Sequence, residues 1–269
     1  MIKNKLCLIF TILAIVFLLS ESLNGKVEIR ITILYDNYVT PVTGVQADWG
    51  FSCLVQGTEK TILFDTGTRS DILQKNIESL KVDLSRINMI VISHLHGDHI
   101  GGLQWILSQK RDIPVYLPAM AKDDYLAKVR QWGGLPLRIS KARQVCRNVF
   151  STGEMPADFD PAFSEQSLVI KTSHGLLVIT GCAHPGILEI VRRAHQVVSG
   201  QPRVVLGGFH LMRKDDREIA AIIDAMKTAG VERCGASHCT GDRAIEFFRN
   251  AFTGRFLPLG VGTVLTFPR

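Results

Sequence analysis

The segment from Ser93 to His99 concentrates side chains that bind metal ions. Its sequence, SHLHGDH, holds three imidazoles and one carboxylate within seven residues. Imidazole and carboxylate groups are ligands that bind zinc, iron or manganese in proteins. Four such groups at this spacing predict a transition-metal site in preference to a loop of solvated histidines.

The residues on either side of this segment predict the elements that would position it. Residues 87–92, INMIVI, are mostly β-branched and apolar, which is typical of a buried strand. Residues 100–107, IGGLQWIL, indicate a loop that enters a helix. A strand that ends in a ligand-rich turn before a helix directs several side chains at one point.

Four segments of the chain resemble motifs of the metallo-β-lactamase superfamily. The pattern His-x-His-x-Asp-His after an apolar strand is similar to the metal-binding signature of that superfamily. LFDTG at 63–67, GCAHPG at 181–186 and SHCTG at 237–241 resemble its other motifs, in the expected order. The resemblance extends from about residue 27 to the C-terminus.

The resemblance implies two divalent metal ions, and it assigns their ligands residue by residue. The implied ligands are three histidines for the first ion, then one aspartate and two histidines for the second: His94, His96 and His184, then Asp98, His99 and His238. Asp65 would accept a hydrogen bond from a ligand imidazole or a loop amide. Zinc is the expected metal, with iron and manganese as alternatives. Two such cations about 3.5–4 Å apart activate a hydroxide near neutral pH, which Asp98 would orient.

The chain departs from the superfamily pattern where many members have an aspartate that bridges both ions. After the apolar run at 204–206, no carboxylate occurs until Asp215, and His210 is the only ligand-type residue there. His210 would therefore bind an ion, hydrogen-bond the substrate or act as general acid to the leaving group. Cys182 and Cys239 flank predicted ligands, and we interpret them as small buried residues rather than thiolate ligands.

Three functional hypotheses follow from the resemblance. The leading one is a dinuclear metallo-hydrolase that attacks a phosphoester, or another small anionic ester, with a metal-activated hydroxide. The segments at 34–37, 49–52 and 207–211 are also similar to proteins named dihydropterin ribofuranosyl-aminobenzene phosphate synthases, so a synthase activity is an alternative. The third hypothesis is a non-catalytic protein that binds a metal or a small ligand.

Strands and helices alternate along the chain in two similar blocks, which is typical of an α/β fold. The resemblance implies an αββα sandwich, with two mixed β-sheets packed face to face and helices outside. One domain over residues 26–269 is expected, because no linker separates the two blocks. Between 132 and 165, glycine and proline interrupt the pattern, and we therefore predict a substrate-covering insert at 119–165.

The distribution of charged residues indicates whether the protein binds nucleic acid or a small molecule. The net charge of +6 comes without the interleaved basic and aromatic residues typical of nucleic-acid binding, so a small-molecule substrate is expected. The predicted insert contains a set of basic residues: Lys122, Lys128, Arg130, Arg138, Lys141, Arg143 and Arg147. If these residues faced the ions, they would favour an anionic substrate, whereas a solvated basic face is the alternative.

Residues 1–22 predict a secretory signal peptide. Lys3 and Lys5 precede an apolar run from Leu6 to Leu19, and small residues follow near Ser22. The run is short for a transmembrane helix, which needs about 20 residues. We therefore expect a periplasmic or secreted protein, with an uncleaved membrane anchor at 6–19 as the alternative. Cleavage would leave an odd number of cysteines, which does not support a disulfide framework.

Overall fold

The structure of the protein is a computed structural model that describes residues 28–269. The predicted signal peptide at 1–22, the alternative anchor at 6–19 and the domain start at residue 26 lie outside the described residues. Within the described range, no helix combines the length and the apolar character that crossing a membrane requires.

The first sheet contains seven strands and is mixed. In chain order these are β1 (Glu28–Tyr35), β2 (Ser52–Gln56), β3 (Ile62–Phe64), β4 (Met89–Val91), β5 (Ile113–Pro118), β6 (Gly134–Ile139) and β15 (Val264–Pro268). Their order across the sheet is β15-β1-β2-β3-β4-β5-β6. Pairing is antiparallel from β15 to β3 and parallel from β3 to β6.

The second sheet contains six strands and is also mixed. These are β7 (Lys141–Cys146), β8 (Val149–Gly153), β11 (Leu168–Thr172), β12 (Gly175–Thr180), β13 (Pro202–Gly208) and β14 (Arg233–Ser237). Their order is β14-β13-β12-β11-β8-β7, with parallel pairing among β12, β13 and β14 and antiparallel pairing elsewhere. A separate ribbon pairs β9 (Met155–Pro156) with β10 (Ser164–Glu165).

Seven α-helices occur among the described residues. They are α1 (Ser70–Ser79), α2 (Gly97–Ile100), α3 (Leu103–Gln109), α4 (Asp123–Gln131), α5 (Ile187–Val197), α6 (Asp216–Thr228) and α7 (Asp242–Ala251). Helices α1, α3 and α4 pack on the first sheet, whereas α5, α6 and α7 pack on the second.

Three buried apolar clusters define the layers. One lies between the two sheets, where Ile31 and Phe64 of the first share a core with Ile170 and Leu206 of the second. The other two lie between each sheet and its helices. Burial of apolar surface on both faces of each sheet is the main force that stabilises this arrangement. The predicted αββα sandwich is therefore confirmed.

The segment 119–165 is more regular than its sequence suggested. It contributes α4, the edge strand β6 of the first sheet and the strands β7 and β8 at the edge of the second. The expectation of an irregular run at 132–165 was wrong, because edge strands tolerate the proline and the polar residues that obscured the pattern. The part that lies over the predicted ligands is the short connection between β9 and β10, where Phe159 and Phe163 contact His184.

Candidate metal centre

Four connections that follow strands carry the predicted ligands. Strand β4 precedes His94 to His99, β12 precedes His184, β13 precedes His210, and β14 precedes His238. Strands β12, β13 and β14 are parallel neighbours, so their carboxyl ends meet at one edge of the second sheet. The connection after β4 reaches this edge from the first sheet, and ligands distant in sequence therefore converge.

The first group of predicted ligands is a cluster of three imidazoles. The ring centroid of His94 lies 4.8 Å from that of His96 and 4.7 Å from that of His184. The rings of His96 and His184 are 4.9 Å apart. His94 is fully buried, and its Nε2 has no hydrogen-bond partner.

The second group combines a carboxylate with two imidazoles. Oδ2 of Asp98 lies 3.4 Å from Nε2 of His238 and 3.7 Å from Nε2 of His99. Burial alone would raise the pKa of Asp98, but the two imidazoles outweigh it and hold that pKa below its ordinary value. Asp98 is therefore a carboxylate at neutral pH, as a metal ligand must be.

Two buried nitrogen atoms bear on whether these residues could hold metal ions. Nε2 of His94 and Nε2 of His238 are buried without a hydrogen-bond partner among the described residues. A buried polar atom left without a partner costs about 1–3 kcal/mol, and a cation would remove that cost. One orphaned nitrogen in each group, beside further imidazoles and a carboxylate, fits bound divalent metal.

Asp65 supports the second group. Its Oδ2 lies 2.7 Å from Nδ1 of His99 and accepts a hydrogen bond from the Ser93 hydroxyl at 2.7 Å. Its Oδ1 accepts the Ser93 backbone N–H at 2.6 Å. Because Nδ1 of His99 faces a carboxylate, Nε2 is the nitrogen available to a cation.

Glu165 supports the first group, and the sequence analysis missed it. Its Oε1 accepts the backbone N–H groups of Gly181, Cys182 and Ala183 at 3.2, 2.9 and 3.0 Å. Its Oε2 accepts the N–H of His184 at 3.0 Å and lies 2.9 Å from Nδ1 of that ring. Burial would raise the pKa of Glu165, but these contacts lower it below its ordinary value. Glu165 lies in a two-residue strand, where no periodicity marks a buried side chain.

His210 lies at the side of the two groups. Its backbone is left-handed, with φ of 53°, and its ring centroid lies 4.5 Å from that of His184. Its side-chain nitrogen falls within 4.8 Å of the sulfur atoms of Cys182 and Cys239. The imidazole is exposed rather than enclosed between the other histidines.

A cavity of about 670 Å³ opens beside the histidines. The predicted ligands His96 and His184 contribute to its lining, and so does His210. Its other lining residues include three exposed apolar side chains and two cations: Trp49, Phe159 and Met212, then Arg213 and Lys214. None of the basic residues at 119–165 lines this cavity, so its positive charge comes from the connection after β13.

Trp49 connects the cavity wall to the second group. Its Nε1–H donates a hydrogen bond to Oδ2 of Asp98 at 2.8 Å, and its ring lies 4.9 Å from that of His238. The indole is 45% exposed. It therefore holds the Asp98 carboxylate while presenting an apolar face to the cavity.

Comparison with known proteins identifies the family. A family model described as the metallo-beta-lactamase superfamily matches residues 50–187, just over half of the chain. The chain belongs to the metallo-β-lactamase superfamily. The matched range contains Asp65, the 93–99 segment and His184, and the resemblance predicted from the motifs is confirmed.

Individual relatives cover nearly the whole chain. A 7,8-dihydropterin-6-methyl-4-(beta-D-ribofuranosyl)-aminobenzene-5'-phosphate synthase of Methanocaldococcus jannaschii is 28% identical, over 90% of this chain and 98% of the relative. A solved structure of a metal-dependent hydrolase of the beta-lactamase superfamily is 28% identical and has a TM-score of 0.75. The match covers 90% of this chain and 100% of the hydrolase. The fold is also shared with the metallo-beta-lactamase fold protein YhfI of Bacillus subtilis, which is 15% identical with a TM-score of 0.65. That match covers 89% of this chain and 100% of YhfI.

Two histidines of this superfamily member lie away from the centre. His174 occupies the exposed turn between β11 and β12. His195 is exposed on α5, with its Nδ1 2.9 Å from the carbonyl oxygen of Gly200. The other six histidines of the chain lie close together in the fold, from sequence positions up to 144 residues apart.

Proposed function

We propose that this superfamily member is a metal-dependent hydrolase of phosphoesters or other small anionic esters. The observation that carries the proposal is the combination of the two ligand groups with the cavity beside them. The unpartnered Nε2 atoms of His94 and His238 fit cations, while Arg213 and Lys214 supply positive charge at the cavity. A metal centre and a cationic wall together suit a substrate that carries negative charge near its scissile bond.

The proposed ligands of the two ions are the six residues implied by the motifs: His94, His96, Asp98, His99, His184 and His238. Divalent ions held there supply a Lewis acid that activates water and polarises a phosphoryl or carbonyl oxygen. Zinc is the metal we propose, with iron and manganese as alternatives. Asp65 and Glu165 keep one nitrogen of His99 and of His184 directed toward the ions.

The cavity residues would bind and orient the substrate. Arg213 would pair with its anionic group, Lys214 would do so on leaving Glu218, and Trp49, Phe159 and Met212 would contact its apolar part. His210 is exposed at this cavity, 4.5 Å from His184 between ring centroids, and we propose that it donates a proton to the leaving group. Asp98, whose Oδ2 accepts the Trp49 indole N–H, would orient the attacking water.

A substrate panel tests the proposal. The purified protein, loaded with zinc, iron or manganese, is assayed with phosphomonoesters, phosphodiesters, lactones and β-lactams. We expect metal-dependent hydrolysis of a phosphoester that is abolished in His96→Ala and Asp98→Ala. Inactivity on every compound, together with tight metal binding, would instead support a non-catalytic binding protein.

A synthase activity is the second candidate. It is favoured by the 28% identity to the Methanocaldococcus synthase, because the match covers 98% of that protein. The exposed rings of Trp49 and Phe159 at the cavity also suit a flat heterocycle such as a pterin. Mass spectrometry separates the candidates, since a synthase would give one product that contains both the dihydropterin and the ribofuranosyl-aminobenzene phosphate, with a leaving group lost from one of the two substrates, whereas a hydrolase adds water across a bond of a single substrate.

We further propose that the protein is exported, on the basis of the basic and apolar N-terminal sequence. Expression with a C-terminal tag, followed by cell fractionation and N-terminal sequencing, tests this proposal. We expect a mature chain that begins near residue 22. A full-length chain in the membrane fraction would support the anchor at 6–19 instead.

A further inference from the structure

One sulfur atom belongs to every group of candidate ligand atoms in the described part of the chain. Within each group the ligand atoms lie within 4.8 Å of one another. The three groups are Asp98, His99, Cys182 and His238; His94, Cys182 and His184; and Cys182, His210 and Cys239. Cys182 is the single residue shared among them, and its Sγ lies 3.2 Å from Nε2 of His99.

We propose that Cys182 binds both ions as a shared thiolate, in the role that a bridging carboxylate has in other metallo-hydrolases. This inference rests on the metal centre of the proposed function. The first carboxylate after β13 is Asp215, whose side chain accepts the Glu218 N–H at 2.9 Å and caps α6. Asp215 is thus occupied at a helix start, and Asp98 is the one carboxylate among the six proposed ligands. A thiolate supplies a second anion to two dications.

The backbone holds the sulfur in this position. The N–H of Cys182 donates to Oε1 of Glu165 at 2.9 Å. Gly181 brings the connection close to the β4 end, because a Cβ at this residue would lie 2.2 Å from Oγ of Ser93. Gly208 allows a similar approach from β13, since a Cβ there would lie 3.2 Å from Cα of Cys182. These contacts hold the backbone of Cys182 where its sulfur lies within 4.8 Å of ligand atoms of both groups.

The surroundings of Cys182 distinguish a ligand from an apolar filler. The residue is 3% exposed, and its sulfur lies within 4.8 Å of a ring nitrogen of each histidine in the three groups. The unpartnered Nε2 atoms of His94 and His238 belong to two of the residues grouped with this sulfur. A thiol that gains a divalent cation loses its proton outright, so burial does not oppose ligation. Cys182 is thus buried, as expected from the sequence, and the ligand role is what we propose in addition.

Cobalt titration tests the proposal, because Co²⁺ bound to a thiolate shows a near-ultraviolet charge-transfer band. We expect this band when Co²⁺ is added to the metal-free full-length protein. Cys182→Ser should lose the band and weaken Co²⁺ binding by more than the about 10–100-fold typical of losing a supporting hydrogen bond. Cys239→Ser and Cys146→Ser are matched controls that should keep the band, with mass spectrometry counting the ions in each variant.

Several outcomes would overturn the proposal. They are a wild-type protein without the band, a band that persists in Cys182→Ser, and a band that disappears in Cys239→Ser instead. If Cys182→Ser does not fold, zinc X-ray absorption of the wild type and of Cys239→Ser decides, since a sulfur neighbour near 2.3 Å is required in both. None of these readouts needs turnover, so failure of the substrate panel and failure of this inference are separate results.

Discussion

The carboxylate of Glu165 lies 2.9 Å from Nδ1 of His184 and determines which nitrogen of that ring faces the other ligands. Asp65 makes the equivalent contact with Nδ1 of His99 at 2.7 Å. Each group of proposed ligands thus has one histidine held from behind by a fully buried carboxylate. Asp65 follows β3 of the first sheet, whereas Glu165 lies in the separate ribbon of β9 and β10, so the two supporting carboxylates come from different parts of the fold.

Replacement of Glu165 by glutamine should weaken metal binding. The glutamine amide would donate to Nδ1 of His184, which would move the ring proton to Nε2 and remove that nitrogen as a ligand. We expect the affinity for one ion to fall by about 10–100-fold. Competition with a chelator, with the ions counted by mass spectrometry, measures this change.

Glu154→Gln is the matched control for this substitution. Glu154 lies in the same segment, but its Oε1 accepts the N–H of Met120 at 2.7 Å and it has no hydrogen bond to a histidine. Its replacement should leave the affinity for both ions unchanged. Equal affinities in Glu165→Gln and the wild type would show that the carboxylate does not orient His184 for ligation.

Removal of the His210 side chain should leave two ions in the protein and impair turnover. Its imidazole is exposed at the cavity, and its candidate ligand group, with Cys182 and Cys239, contains no other histidine. A general acid contributes about 10²–10⁴-fold to a rate, so kcat for the responsive ester should fall within this range in His210→Ala. Ion counting and steady-state kinetics on the same sample provide both readouts.

His195→Ala is the corresponding control, because His195 is exposed on α5 and contacts the Gly200 carbonyl rather than the cavity. It should retain wild-type kcat. An ion count that falls from two to one in His210→Ala would make His210 a ligand and exclude the proposed role on the leaving group.

Sequence motifs predicted the order of the strands that carry ligands and the positions of the histidines. They could do so because each motif is local, with a strand end and a ligand within a few residues. Glu165 was not predictable in the same way, because it lies in a strand of only two residues. Its five contacts are with residues 16–19 positions further along the chain, which no local pattern indicates. The central position of Cys182 likewise depends on three connections that meet only in the fold. The edge strands β6 and β7 were not predicted, because many of their residues are exposed and the alternation of buried and exposed residues is weak.

The basic residues that matter for an anionic substrate should be those of the cavity. Arg213→Ala should raise KM by about tenfold, since a hydrogen bond to a charged group contributes roughly 1.5–3 kcal/mol. The increase should shrink at high ionic strength, because salt screens exposed charges. Lys122→Ala removes a cation of the predicted insert that does not line the cavity, and it should leave KM unchanged. A larger increase in KM in Lys122→Ala than in Arg213→Ala would instead indicate that the basic residues at 119–165 bind the substrate.

Asp36 should make the stability of the fold depend on pH. Its carboxylate is fully buried, with both oxygens 2.7 Å from the Ser237 hydroxyl, next to the proposed ligand His238. Burial raises the pKa of Asp36 from 3.8 to about 6. The folded protein therefore binds this proton more tightly than the unfolded chain, and the free energy of unfolding should fall as the pH rises from about 4 to about 6.

Asp36→Asn removes this titration while keeping the size of the side chain. The difference in unfolding free energy, variant minus wild type, should increase by up to about 3 kcal/mol between pH 4 and pH 7, since each pKa unit corresponds to about 1.4 kcal/mol. Urea unfolding of both proteins at a series of pH values measures this difference, and titrations common to both cancel. A difference that stays constant over this range would mean that Asp36 is ionised at no cost, with the Ser237 hydroxyl and nearby backbone N–H groups fully replacing its hydration.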